Sequence, residues 1–299
     1  AFNAPTQSLD GASALGLSYP FTLAAWVKTT DATNAQAVVW VGDKDVTNTW
    51  DALTLRGNST GDPVGAHTSA SPGNQAAAES TTGYASDGSW QHVMAVFNSA
   101  TDRRVYLDGS SKATNTDNFT ATGNDRISIG RFGDSTPAGY LTGSVAHVTI
   151  WSSALSDANA TTLAGGADPT SVDSGNLVEN WPLANNTDLT GTEASTVLTA
   201  FGSPTNSSDD PPVGSSVAIT SPVQYQAKKR NGSDQASLTV SGTYSGTPTS
   251  IEVQQNGGAW SELDGSPSGG TFSGSITLSA KATTIAVRFS NDTGVTDSV

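Results

Sequence analysis

The sequence predicts an all-β protein built from two β-sandwiches in series. Three observations lead there. Short runs of alternating apolar and polar residues recur along the whole chain. Gly, Asn, Asp and Ser punctuate them, as strand boundaries require. A polar stretch at 206–216 (NSSDDPPVGSS) contains Pro-Pro, offers no strand, and reads as a linker between two modules.

In the first module the clearest strand is 21–29 (FTLAAWVKT), with Phe21, Leu23, Ala25 and Val27 on one side. Further strands are expected at 37–41 (AVVWV), 52–56 (ALTLR), 92–97 (HVMAVF), 104–107 (RVYL), 126–129 and 144–151. Asp108-Gly109 is a hairpin signal. Only 156–164 reads as helix, with Ser156 as N-cap, Asp157 in the first turn and Gly165-Gly166 as the stop. Many short strands with one short helix argue for a sandwich or jelly roll. In the second module strands are expected at 217–220, 236–240, 250–254, 260–263, 271–278 and 284–289, with a hairpin at 255–258 (QNGG). Six or so strands over this length fit an immunoglobulin-like sandwich. The expected organisation is therefore a first domain at 1–205, a linker at 206–216 and a second domain at 217–299.

Composition agrees and excludes several functions. The 299 residues are 35% hydrophobic and 13% charged, with Ala, Ser, Thr, Asn and 31 Gly filling the difference. The formal net charge is −14, so nucleic-acid binding is not expected. The charge is uneven: residues 1–214 hold eight basic and 21 acidic groups, and residues 215–299 hold five and six. No apolar run is long enough to span a bilayer, so membrane insertion is not expected. Cysteine is absent, which excludes disulfides, zinc thiolates and thiol catalysis. Seven Trp and eight Phe inside alternating runs argue against disorder. The chain opens on Ala1-Phe2-Asn3, without Met or a signal-peptide pattern, and reads as trimmed. It stops directly after a strand pattern, which suggests a cut before a further domain.

Four stretches, in order, resemble the laminin-G-like, concanavalin-A-like jelly-roll family over residues 5–205. They are PFTLAAWVK at 20–28, GSWQHVMAV at 88–96, VYLDG at 105–109, and ISIG at 127–130 followed by LTGSVAHVTIWSSALS at 141–156. NLVENWPL at 176–183 is similar to the family's final sheet strand. The resemblance implies a module that binds glycans or proteins, often beside a hydrolase, and does not imply catalysis. Relatives often hold a structural calcium with two acids in the closing strand, where this chain has Ala146 and His147. Asp10-Gly11 retains the matching acidic turn, so one structural calcium at Asp10 is the expectation the resemblance carries. Residues 217–299 resemble the β-sandwich preceding the catalytic domain of sialate-O-acetylesterase-like hydrolases. The carriers are ITSPVQYQ at 219–226, VSGTYSG at 240–246 and VRFS at 287–290. That resemblance implies a C-terminal catalytic domain beyond this chain.

The chain carries no complete catalytic pattern. Retaining glycosidases need two carboxyls about 5–5.5 Å apart. The five Glu (79, 179, 193, 252 and 262) form no E-x-D-x-x-E spacing. Gly133-Asp134-Ser135 looks like the opening of a serine-esterase motif, but no His follows an Asp by three residues, so it reads as a loop. Asp43, Asp45, Asn48 and Asp51 hint at a calcium loop, but Asn48 stands where an EF-hand needs Gly. Lys228-Lys229-Arg230 reads as a turn. The three His form no metal triad.

A sugar site is the better reading. Aromatic faces pack on pyranose C–H surfaces while a few planar polar groups fix the hydroxyls. Leu53 and Leu55 face the core, so Trp50, Thr54 and Arg56 face outward; by the same period Val64 and Ala66 face in and His67 faces out. Trp50, Arg56 and His67 are thus expected to line one groove, with Tyr84, Arg131 and Tyr140 in nearby loops. The bland alternative for Trp50 is a cap on the sandwich edge. Trp26, Trp151 and Trp181 are expected in the core, and His92 is expected to be packed. The expected function is a non-catalytic carbohydrate-binding module pair from a larger secreted protein, adsorbing to a polysaccharide or glycan. The alternative is a phage tail or head protein touching host glycans or other virion proteins. Either places the chain outside the cell or on a virion surface.

Overall fold

A computed structural model of the chain describes all residues except 5, 14, 208–209, 215, 223–235, 246–249, 268–270, 279–283 and 291–295. The Lys228–Arg230 cluster lies outside the described residues, as does part of the 219–226 motif. The chain divides into two compact units, Ala1–Pro211 and Pro212–Val299. Asn206, in the expected linker, is tied to the first unit, because its Oδ1 accepts from the Asn186 amide at 2.6 Å.

The first unit holds strands β1 (Ser8–Gly11), β2 (Phe21–Thr29), β3 (Ala35–Gly42), β4 (Trp50–Arg56), β5 (Pro63–Ser71) and β6 (Asn74–Gly83). There follow β7 (Gln91–Ser99), β8 (Asp102–Leu107), β9 (Ser110–Asn115), β10 (Arg126–Ile129) and β11 (Gly143–Trp151). Helix α1 (Asp157–Ala164) then precedes β12 (Leu177–Trp181) and β13 (Leu198–Phe201). Seven strands form one sheet in the order β13-β1-β10-β3-β4-β5-β6, and six form the other in the order β12-β11-β2-β7-β8-β9. Every ladder of both sheets is antiparallel. This is the jelly-roll sandwich expected from the sequence.

Period two decides what enters the core between the sheets. Phe21, Leu23, Ala25 and Val27 of β2 enter it, as do Leu53 and Leu55 of β4 and Val64 and Ala66 of β5. The outward set of the six-stranded sheet is also buried. Ala24, Met94, Tyr106 and Trp151 pack under Ala160 and Leu163 of α1. That second layer explains why β2 has so few polar positions. Trp26, Trp151 and Trp181 are all buried; Trp181 lies in the core between the sheets, as expected, while Trp151 lies on the outer face under α1. His92 is buried too, and its ring meets Trp26 edge-on at 5.4 Å.

Local chemistry sets the turns. Ser156 caps α1 by accepting from Asn159 N, while the Asn159 side chain accepts from Ser156 N, a reciprocal capping box. Asp108 and Gly109, at φ 49° and 67°, close the β8–β9 hairpin as a two-residue turn with both φ positive. Gly109 also faces α1: a Cβ there would stand 2.7 Å from Thr161 Cα. A bulge at His147 (φ 47°) interrupts β11, and its N–H turns to Pro182 O at 3.0 Å.

The second unit carries β14 (Ser216–Ser221), β15 (Ala236–Ser245), β16 (Ile251–Gln255), β17 (Ser261–Asp264), β18 (Thr271–Leu278), β19 (Ile285–Phe289) and β20 (Thr296–Ser298). They form a sheet ordered β14-β15-β18 and one ordered β17-β16-β19-β20. Val240, Val253, Phe272, Val287 and Phe289 lie in the core they share. Arg288 pairs with Glu252 at 2.7 Å and lies over the Trp260 ring at 4.3 Å.

Candidate functional site

The outer face of the seven-stranded sheet collects three of the predicted residues. Trp50 pairs in register with Ser69, and Ala52 pairs with His67. The Trp50 and His67 rings meet edge-on at 5.1 Å. Arg56 Nη1 donates to His67 Nδ1 at 3.0 Å, and Arg56 Nε stands 3.6 Å from Glu79 Oε1 on β6. Burial pushes the His67 ring down to about 4, reinforced by the charges of Arg56 and Arg103. The imidazole is therefore neutral at pH 7, with Nδ1 the acceptor toward Arg56 and Gln75 bonded to the ring. Glu79 is the exposed member, with 40% of its side chain accessible.

Trp50 is placed differently from an open platform. It is 5% exposed, because Phe132, in the loop joining β10 to β11, packs on it at 4.9 Å. Trp50, Trp40, Ala37 and Ala52 form a small apolar patch with Phe132 half-buried on top. The aromatic surface offered to solvent here belongs to Phe132.

The other predicted residues do not join this group. The Tyr84 hydroxyl donates to Asp31 O at 2.8 Å and lies against Gly57, where a Cβ would sit 2.6 Å away. Burial pushes this phenol up to about 12, helped by Asp62 and Asp31. It ties β6 to the loop after β2. Arg131 and Tyr140 hydrogen-bond each other at the far end of the sheet, where Arg131 also pairs with Asp10 and covers the Phe201 ring at 5.6 Å. The row Asp10, Ser128, Trp40, Ala52, His67 crosses four strand spacings, or roughly 19 Å.

The calcium expected at Asp10 does not fit. One Asp10 oxygen is bonded to Arg131, and Arg126 Nη1 stands 3.9 Å from it. Two guanidinium groups occupy the carboxylate's surroundings, and its one free oxygen, Oδ1, falls far short of the six to eight a calcium ion needs. Among the described residues the group of carboxylates within 4.8 Å of one another is Asp43, Asp45 and Asp125. The Lys44 ammonium already bridges Asp45 and Asp125 there. Asp51, of the same sequence hint, points away into the sandwich. Ser135 is a loop residue whose hydroxyl meets Thr47 Oγ1 at 2.7 Å.

A second polar centre lies at one end of the sandwich, between the sheets. Asp51 is 1% exposed and Arg103 is fully buried. Thr68 Oγ1 donates to Asp51 Oδ1 at 2.6 Å and accepts from Arg103 Nε at 3.1 Å. The Tyr19 hydroxyl lies 3.1 Å from both Asp51 oxygens. The other Arg103 nitrogens bond Asn115 Oδ1 and the carbonyls of Ala100, Asp117 and Phe119. Burial pushes the Asp51 carboxyl up to about 7, against the opposing bonds from Thr68 and Tyr19 and the charge of Arg103. Asp51 and Tyr19 open onto a cleft of about 430 Å³. Sequence reasoning missed this centre because Asp51, Thr68, Arg103 and Tyr19 come from four separate segments. Glu79 was missed too, although the Pro72-Gly73 turn would have set the β5–β6 register that faces it outward.

Residues 4–161 match a laminin-G-type family model described as the concanavalin A-like lectin/glucanases superfamily. No curated protein matches the chain. Among solved structures the chain is similar to a native heptameric SAP-like pentraxin from Limulus polyphemus, at 15% identity and a TM-score of 0.44, covering 55% of this chain and 78% of that one. It is similar to domain 4 of AbnA, a GH43 extracellular arabinanase from Geobacillus stearothermophilus, in complex with arabinotriose, at 23% identity and a TM-score of 0.41, covering 51% and 69%. The CBM40 of the Ruminococcus gnavus IT-sialidase bound to α2,3-sialyllactose matches at 14% identity and a TM-score of 0.43, covering 55% and 95%. The matched family segment runs from β1 through β11 into α1, and so takes in most of both sheets of the first unit. On that match the chain belongs to the concanavalin A-like lectin/glucanase superfamily.

Proposed function

We propose that the first unit is a non-catalytic glycan-binding module, and that it contacts its ligand on the outer face of β4, β5 and β6. The observation that carries the reading is the convergence of Arg56, His67 and Glu79, with the half-buried Phe132 joined to them through Trp50, whose ring meets both His67 and Phe132. Arg56 and Glu79 offer a planar donor and a planar acceptor to vicinal hydroxyls. Phe132 offers the apolar contact that a pyranose face needs. His67, neutral and bonded to Arg56, sets the guanidinium's direction. The ligand class is a polysaccharide or cell-surface glycan outside the cell. No helix among the described residues is long and apolar enough to cross a membrane. The second unit would act as an immunoglobulin-like spacer, and an esterase domain following it would be held on the polysaccharide by adsorption. Several copies on one surface would multiply a weak single-site affinity.

The test is a polysaccharide and glycan screen with wild type, Arg56→Ala and Phe132→Ala. Binding that falls in both variants supports the face. Binding that survives in both moves the site elsewhere. Binding to no glycan overturns the reading in favour of a protein partner, as for a virion component, and neighbouring tail or capsid genes would then identify it.

A further inference from the structure

The cleft at the end of the sandwich has a chemistry of its own. Leu17, Tyr19 and Phe21 form one wall, residues 120–124 form the other, and Asp51 lies at the base. Tyr19 and Phe21 stack with ring centroids 5.8 Å apart. Its strong polar groups are acceptors. Asp51 Oδ2 receives only the shared Tyr19 hydroxyl. Asn124 Oδ1 is buried with no hydrogen-bond partner. The nearest cation, Arg103, is fully buried and reaches Asp51 only through Thr68, while its remaining nitrogens are bonded elsewhere. The cleft thus presents a carboxylate and an unmet carbonyl beside aromatic rings, with no cation among its lining residues.

Each hydroxyl of a neutral polyol brings one donor with two acceptor lone pairs and no charge to set against the carboxylate. An alkyl- or glycosyl-ammonium brings only donors on its charged group. It would pair with Asp51 and Asn124 and lie against the Tyr19 ring. We propose that this cleft is a second binding site of the first unit, specific for a primary ammonium group carried on a sugar, as in a de-N-acetylated amino sugar. The site is independent of the β4–β6 face.

Ionisation of Asp51 would gate it. The charged and titratable groups facing Asp51 are Tyr19 from the loop before β2 and Arg103 from β8. Burial holds the empty site's carboxyl up to about 7. An incoming ammonium favours the charged form, so affinity rises from pH 5.5 to pH 7.

The test is calorimetric titration of the full chain with glucosamine oligomers and, in parallel, with their N-acetylated counterparts. Wild type should bind the amine form and not the acetylated one. Asp51→Asn, nearly isosteric, should weaken amine binding about tenfold or more, the scale of one charge-assisted hydrogen bond. Asn124→Ala, a change at the cleft wall, should weaken it too and serves as the second variant should Asp51→Asn disturb the fold. Lowering the pH to 5.5 should weaken wild type and leave Asp51→Asn unchanged. Equal binding of both sugar forms, no amine binding, or undiminished binding in both folded variants each overturns the proposal. Neutral polysaccharides report the sheet face separately, so the two readings fail independently.

Discussion

Both sheets of the first unit carry tryptophans on their outer faces, yet the two faces are finished differently. On the six-stranded sheet Trp151 is fully buried beneath α1, and its indole N–H donates to Val172 O at 2.8 Å. On the seven-stranded sheet Trp40 and Trp50 are covered by a loop through Phe132, and the Trp40 indole nitrogen has no partner. Under α1 the indole is closed in and satisfied, as in a structural layer. On the seven-stranded sheet the loop covers the Trp50 end of β4 and leaves Arg56 and Glu79 within reach of solvent. The lesson is that an outer tryptophan is not a binding platform by position alone. What covers it decides its role.

The comparison can be broken by removing the aromatic from each side. Trp151→Ala should cost about 3–5 kcal/mol, as for other fully buried aromatics, measured by chemical denaturation. Trp50→Ala should cost less, at about the low end of that range, because the loop above it can settle into the space. An equal loss at both sites would mean that the Phe132 loop is as rigid a cover as α1.

The buried ionisable groups give the next effect. Asp51 has a raised folded value of about 7, against an ordinary Asp value of about 3.9 in the unfolded chain. The folded state therefore holds a proton that the unfolded state has released, and Asp51 lowers stability as pH rises through that window. His67 and His92 work oppositely. Burial takes them to about 4 and about 3, so they lower stability as pH falls below the ordinary His value of about 6.5. Asp51→Asn should raise stability at pH 8 by about 1–2 kcal/mol and flatten the loss between pH 5 and 7. An unchanged pH profile in this variant would place the carboxyl in the ordinary range. Phe132→Ala should cost about 1 kcal/mol and shift tryptophan emission to the red as Trp50 is uncovered. Arg56→Ala should change stability by less than about 1 kcal/mol, so its loss of glycan binding would be read on an intact fold.

Much of the fold was legible because it is written with period two. The inward set on β2, β4 and β5 follows from alternation alone, and Asp108-Gly109 and the Ser156 cap are local chemistry. The strands that escaped notice explain themselves. β6 is an edge strand of Ala, Ser, Thr, Gln and Glu, with an outer side that needs no apolar residue. β1 and β13 are four residues each, too short for alternation to show. Of the site, Trp50, Arg56 and His67 were found together because they sit on adjacent strands joined by a short connection. Arg131, Tyr140 and Tyr84 were expected in loops near them, but which loops meet a sheet face depends on strand order, and the Arg131 side chain turns to Asp10 while the Tyr84 hydroxyl turns to Asp31 O.

The amino-acid sequence by itself determined which side chains turn inward, where the chain turns, that a short α-helix follows Ser156, and that two β modules follow one another. These depend on neighbours within a few residues. Only the tertiary structure decided that Phe132 covers Trp50, that Arg131 pairs with Asp10, and that Tyr19, Thr68 and Arg103 meet at Asp51. Those outcomes depend on strand order and loop paths that bring distant segments together, and no local period encodes them.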